Sequence, residues 1–208
     1  MWTRLTAGTD TPAINTGERL YFKATGLTPT SSAGIGTFTV SKQFNLSGNC
    51  MSMLFGDRAK SNLNLTGYDY AFVTMFYKCT KLKSVSAGFL PATTLAYYCY
   101  GGMFNKCSSL TTAPELPAMT LESYCYSSMF QDCTSLVTAP ELPAMTLVKY
   151  NCYAGMFQNC SKLNYIKAMF TTKPGSDYTR NWVSGVASTG TFVKNAAATW
   201  DVTGVNNS

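Results

Sequence analysis

The chain has 208 residues, of which 46% are hydrophobic and 12% charged, with a net charge of +6 and no histidine. That balance excludes a disordered chain, and the length is enough to bury a real core. The lysines and arginines are scattered rather than gathered into a run, which argues against a nucleic-acid partner, and no apolar stretch reaches the length of a membrane span. Without histidine the chain lacks the commonest general base, metal ligand and nucleophile activator, so neither an enzyme nor a cofactor is expected.

Residues 1–50 open with MWTRLTAGTDTPAINTG, which has no apolar core of the kind a secretory signal peptide carries. The runs RLYFKA and GTFTVSKQFNL that follow lie between Gly/Ser/Thr-rich turns and predict strands, so residues 1–50 are expected to form a β-rich N-terminal cap.

Residues 51–170 carry an internal repeat. Met-Phe recurs at Met75-Phe76, Met103-Phe104, Met129-Phe130 and Met156-Phe157, at intervals of 28, 26 and 27 residues, and Leu54-Phe55 looks like a worn earlier copy. Each Phe is followed at the third position by Cys79, Cys107, Cys133 or Cys160, and each cysteine at the third position by Leu82, Leu110, Leu136 or Leu163. Leu-Pro-Ala-x-Thr-Leu recurs from Leu90, Leu116 and Leu142. Within a copy, Leu95, Cys99, Met103 and Cys107 fall four residues apart, as do Leu121, Cys125, Met129, Cys133 and Val148, Cys152, Met156, Cys160; Ala71 takes the first cysteine's slot in the first copy. A stride of four predicts one face of a helix or of tight helical turns. SLTTAPEL and SLVTAPEL predict short strands ending at a proline corner. Repetition at this period predicts an α/β, leucine-rich-repeat-like right-handed solenoid of 26–28-residue units. Residues 171–208 hold YTRNWVSGVA, a predicted short helix, and GTFVKN, a predicted strand, and are expected to form a mixed C-terminal cap.

The eight cysteines contain no Cys-x-x-Cys cluster for zinc. Cysteines eight apart on one helix would stand about 12 Å apart, too far for a disulfide. Their core-like positions predict buried thiols.

Two sets of residues stand out as candidate binding groups. Tyr98 and Tyr124 precede the first cysteine of their copies, and Tyr100, Tyr126 and Tyr153 follow it. Stacked copies would align these as ladders, which suits sugar stacking or a protein interface, while space-filling between copies is the structural alternative. On the strand side, Thr112, Glu115, Thr138 and Glu141 are expected to be solvent-facing. Glu115 and Glu141 hold equivalent positions and are expected about one strand spacing apart, near 5 Å. That separation is also found in retaining glycosidases. The matching positions Phe89 and Ala168 carry no carboxylate, however, so duplication explains the pair and a solvated strand edge is expected.

Phe-x-x-Cys-x-x-Leu followed by a Pro-bounded strand resembles the BspA-like leucine-rich repeats of Bacteroidales, over roughly residues 48–170. The ending NWVSGVASTGTFVKN…ATWDVTGV is similar to the terminal unit of such proteins, although this chain stops at GVNNS, where relatives often continue, so a more open or partner-covered final edge is expected. The resemblance implies a non-catalytic module of bacterial or phage surfaces: extracellular, on a cell or virion, adhering to a protein or a cell-surface glycan. The alternative is a structural or assembly subunit of a phage virion fibre or appendage, with a second copy or another virion protein as its partner.

Overall fold

The computed structural model describes residues 18, 21, 36–147, 149–172 and 175–200. Of the sequence expectations, nearly all of RLYFKA, Val148, most of the N-terminal cap and the final GVNNS lie outside the described residues.

Regular secondary structure is sparse. Strand β1 (Phe44–Leu46) leads to helix α1 (Ser52–Phe55) and a 3-10 turn at Gly56–Lys60. Strand β2 (Leu82–Val85), a 3-10 turn at Ala87–Phe89, strand β3 (Tyr165–Ala168), helix α2 (Ser176–Thr179) and strand β4 (Thr191–Lys194) complete the described elements. Strand β1 pairs parallel with β2, from Phe44 opposite Leu82 to Leu46 opposite Val85, with an irregularity after Phe44. Strand β3 pairs parallel with β4, from Tyr165 opposite Thr191 to Ala168 opposite Lys194.

These elements overturn the expected leucine-rich-repeat-like right-handed solenoid. Among the described residues the helices are four residues long and the sheets are two small parallel two-stranded ones, so the fold is a mostly irregular α/β fold. The physical reasons lie in two segments of the repeat.

The first is the segment with the four-residue stride, which is a run of overlapping β-turns rather than a helix. The N–H groups of Cys99, Gly101, Met103, Asn105 and Cys107 each donate to the carbonyl three residues back, at 3.1–3.4 Å. The alternate N–H groups of Tyr98, Tyr100, Gly102, Phe104 and Lys106 donate instead to Ser123, Cys125, Ser127, Met129 and Gln131 of the next copy, at 2.8–3.1 Å. Such turns need a left-handed residue at every fourth position. Tyr98, Gly102 and Lys106 have φ of 54°, 59° and 64°, and Tyr124, Ser128 and Asp132 repeat the pattern at 58°, 53° and 60°. Four residues per double turn put Leu95, Cys99, Met103 and Cys107 on one buried side, as a helix would.

The second is the proline-bounded segment. LKSV and YIKA lack proline and form β2 and β3. SLTTAPEL and SLVTAPEL contribute only isolated bridges, Ser84 with Thr112, Thr138 with Tyr165 and Leu142 with Ala168. Pro114 and Pro140 have no N–H to give a ladder.

The core runs through the equivalent side chains of successive copies. Phe38, Phe76, Phe104, Phe130 and Phe157 stack at 5.5–5.8 Å within 18° of parallel. Phe72, Tyr100, Tyr126 and Tyr153 form a second row at 5.7–5.9 Å. At the C-terminal side, Trp182, Phe170, Phe192 and Trp200 close the core as one aromatic group. YTRNWVSGVA, expected as a short helix, holds only the end of α2 before returning to turns, whereas GTFVKN does contain strand β4.

Candidate functional site

The turn run determines which tyrosines meet solvent. Alternate residues point to opposite sides of it, so the tyrosine after each first cysteine goes inward. Tyr100, Tyr126 and Tyr153 are 0%, 2% and 0% exposed and form part of the core row. Burial raises their hydroxyl pKa values well above the usual tyrosine range. These three offer no face to a ligand.

Tyr98 and Tyr124, which precede the cysteines, lie on the outer side and are partly exposed. Tyr70 shares their position, and the three form a stack: Tyr70 to Tyr98 at 5.7 Å and 28°, Tyr98 to Tyr124 at 5.4 Å and 23°. All three have φ between 54° and 59°. A bulky residue in the left-handed region is a true outlier, and repeating it in three copies makes the backbone of this surface locally strained.

A second row runs beside the stack. The hydrogen bonds from the N–H groups of Tyr70, Tyr98, Tyr124 and Asn151 to the carbonyls of Tyr97, Ser123, Tyr150 and Asp177 align those four acceptors with Asp69. Tyr97 lies across the edges of the stack, 5.4 Å from Tyr70 at 81°, 6.0 Å from Tyr98 at 52° and 5.7 Å from Tyr124 at 70°. Tyr150 meets Tyr124 in the same edge-on way, at 5.6 Å and 64°, and is 49% exposed. Asp69 accepts the Tyr97 N–H at 3.2 Å. Partial burial, then a hydrogen bond with the Tyr70 phenol, raises the Tyr97 hydroxyl above its ordinary pKa. Glu122 binds Lys149 at 2.9 Å next to this row. The Lys149 hydrogen bond, helped by the Ser123 N–H, holds the Glu122 carboxyl below its ordinary pKa.

The strand-side residues Thr112, Glu115, Thr138 and Glu141 are all exposed. Thr112 pairs backward with Ser84, while Thr138 pairs forward with Tyr165. The Glu115 N–H donates to Ala87, and the Glu141 carboxylate holds Lys167 at 2.9 Å, an exposed contact that raises the lysine pKa. Glu141 is thus engaged with a cation on its C-terminal side.

All eight cysteines are buried and free. The thiols of Cys79, Cys107, Cys133 and Cys160 donate to the carbonyls of Phe38, Phe76, Phe104 and Phe130 at 2.9–3.2 Å. No group of three or more His, Cys, Asp or Glu side chains with metal-binding geometry occurs among the described residues. An open cleft of about 370 Å3, lined by Asn49, Ser52, Gly56, Asp57, Ala59 and Lys60, contains none of the residues singled out from the sequence.

Sequence reasoning found Tyr98 and Tyr124 but missed Tyr70, Tyr97 and Tyr150. The tandem Tyr97-Tyr98 was a usable signal. Ser123 between Tyr97 and Tyr150 breaks their column, so their shared row emerges only from the hydrogen-bond register. No protein-family model, curated protein or solved structure matches the chain.

Proposed function

We propose that the chain is a non-catalytic recognition module that binds a protein or a glycan at a cell or virion surface through its tyrosine face. One observation carries the reading. Five partly exposed tyrosines, Tyr70, Tyr97, Tyr98, Tyr124 and Tyr150, form one contiguous contact network, three of them at positive φ. Tyrosine offers a large rigid area with a polar tip at low entropic cost, which suits recognition. The resemblance of the repeat to BspA-like sequences supports a surface role.

The test is binding of the labelled chain to intact Bacteroidales cells. Saturable binding that falls in Tyr98→Ala/Tyr124→Ala and persists in Glu115→Ala/Glu141→Ala supports the tyrosine face. Loss in the glutamate variant alone would move the site to the strand side. No binding by a folded chain would refute the reading.

A further inference from the structure

Four of the eight buried thiols stand in one row. The N–H groups of Lys78, Lys106 and Asp132 donate to Asn105, Gln131 and Gln158 of the next copy at 2.8 Å. That register sets Cys79, Cys107, Cys133 and Cys160 side by side in successive copies, with neighbouring Cα atoms roughly 4.8 Å apart. Neighbours in the row converge on one oxygen. The Phe76 carbonyl accepts the Cys79 N–H at 3.0 Å and the Cys107 thiol at 3.1 Å. The Phe104 carbonyl accepts the Cys107 N–H at 3.1 Å and the Cys133 thiol at 3.2 Å. The Phe130 carbonyl accepts the Cys133 N–H at 3.1 Å and the Cys160 thiol at 3.0 Å. The thiols run parallel, since Cys79 reaches back to the Phe38 carbonyl as Cys107 does to that of Phe76.

From this row we infer that Cys79 with Cys107, and Cys133 with Cys160, close into disulfides between neighbouring copies when the chain folds in an oxidising medium. A disulfide needs Cα atoms about 4.4–6.8 Å apart and side chains that do not diverge, and adjacent slots of the row meet both conditions. Four thiols in a line pair completely in one way, first with second and third with fourth. Pairing strands no acceptor at the shared oxygens of the two pairs, because Phe76 and Phe130 keep the N–H groups of Cys79 and Cys133. The loops closed span 28 and 27 residues, long enough for each cross-link to remove considerable entropy from the unfolded chain. The oxidant is a small disulfide such as oxidised glutathione. One cysteine thiolate attacks it to form a mixed disulfide and release one glutathione, and the neighbouring thiolate then displaces the second. Each pair gives up two protons and two electrons, and the oxidant leaves as two thiols. The step belongs to the open chain, because burial keeps the folded thiols protonated and out of reach.

The row lies in the core, apart from the tyrosine face, so the experiment needs no ligand. The full chain is reduced, denatured and refolded with a mixture of oxidised and reduced glutathione, and in parallel with reduced glutathione alone. Free thiols are then blocked and the peptides mapped by mass. The expected map links Cys79 to Cys107 and Cys133 to Cys160, with Cys50, Cys99, Cys125 and Cys152 blocked as free thiols. The oxidised protein is expected to melt several degrees above the reduced one. Cys79→Ala is expected to keep the link between Cys133 and Cys160, and Cys133→Ala the link between Cys79 and Cys107. The map of the parent decides the matter if either variant fails to fold. Free thiols at all four row positions after refolding in the oxidant overturn the assignment. Links to any of the other four cysteines or between molecules also overturn it, as does a linked protein that melts no higher than the reduced form.

Discussion

The rings of Tyr98 and Tyr124 face each other at 5.4 Å, 23° from parallel, and both residues hold a positive φ. A left-handed backbone costs a residue with a side chain about 1–2 kcal/mol. A stacked aromatic pair contributes about 0.5–1.5 kcal/mol beyond its buried area. The two terms roughly cancel, which leaves the area that the half-buried rings remove from water as the net contribution of these tyrosines to stability. Glycine already fills the next left-handed row at Gly102 and Gly155.

Tyr98→Gly and Tyr124→Gly are expected to lower folding stability by about 1–3 kcal/mol, because relief of strain offsets only part of the lost ring burial. Binding to cells is expected to fall in the same variants. A thermal melt and a binding isotherm on each protein check the pair of outcomes. A destabilised variant that still binds as tightly as the parent would assign these rings to packing alone.

The repeat, the buried stripe and the core-like placing of the thiols are legible in the amino-acid sequence, and the backbone is not. Ala71, Met75 and Cys79, like the ladders from Leu95 and Leu121, are all buried. A helix and a run of double turns both advance four residues per step, so the stride alone does not tell them apart. The deciding feature is a left-handed residue at every fourth position, and Tyr98, Lys106 and Thr74 carry no compositional sign of it. Strand expectations held at Thr191–Lys194, where no proline interrupts, and failed at SLTTAPEL, where proline removes the donors. In the candidate site, the inward or outward direction of each tyrosine followed from the turns and so was hidden with them.

The thiols lend themselves to a direct chemical test. Burial raises Cys79 to about 11, and Cys99, Cys152 and Cys160 to about 12. Such groups stay protonated at neutral pH, and the thiolate is the reactive form. The native chain at pH 8 is expected to react with a thiol reagent at none of these positions on the time scale of seconds, and all eight cysteines should react in denaturant. Fast labelling of a native cysteine, located by peptide mass, would contradict the buried row.

The ion pair beside the tyrosines predicts a small acid sensitivity. The Glu122 carboxyl has a folded pKa below its unfolded value, first because of Lys149 and then because of the Ser123 N–H. Its contribution to stability is thus present above the unfolded carboxylate pKa of about 4.5 and is lost as pH falls through the lower folded value. Both side chains are more than a third exposed, so the effect is expected at about 0.5 kcal/mol or less. Melts at pH 6 and pH 3 on the parent and on Glu122→Gln measure it as the difference between the two slopes. Equal slopes would show that the pair contributes nothing in solution.

Tyr100→Phe should stabilise the protein. The Tyr100 hydroxyl is buried without a hydrogen-bond partner of proper geometry, although the Cys50 thiol is near enough to influence its ionisation. A buried hydroxyl left unpaired costs about 1–3 kcal/mol, and removing it without changing the ring recovers part of that. Phe72 already fills the equivalent place in the preceding copy, stacked on Tyr100 at 5.7 Å and 18°. A gain of about 1 kcal/mol, read as a rise of a few degrees in Tm, is expected with cell binding unchanged, since the ring lies in the core row. A loss of stability would mean that the hydroxyl and the Cys50 thiol form a true hydrogen bond in solution. Cys50→Ala would then produce the same loss, and the double variant would show the two residues acting as one pair.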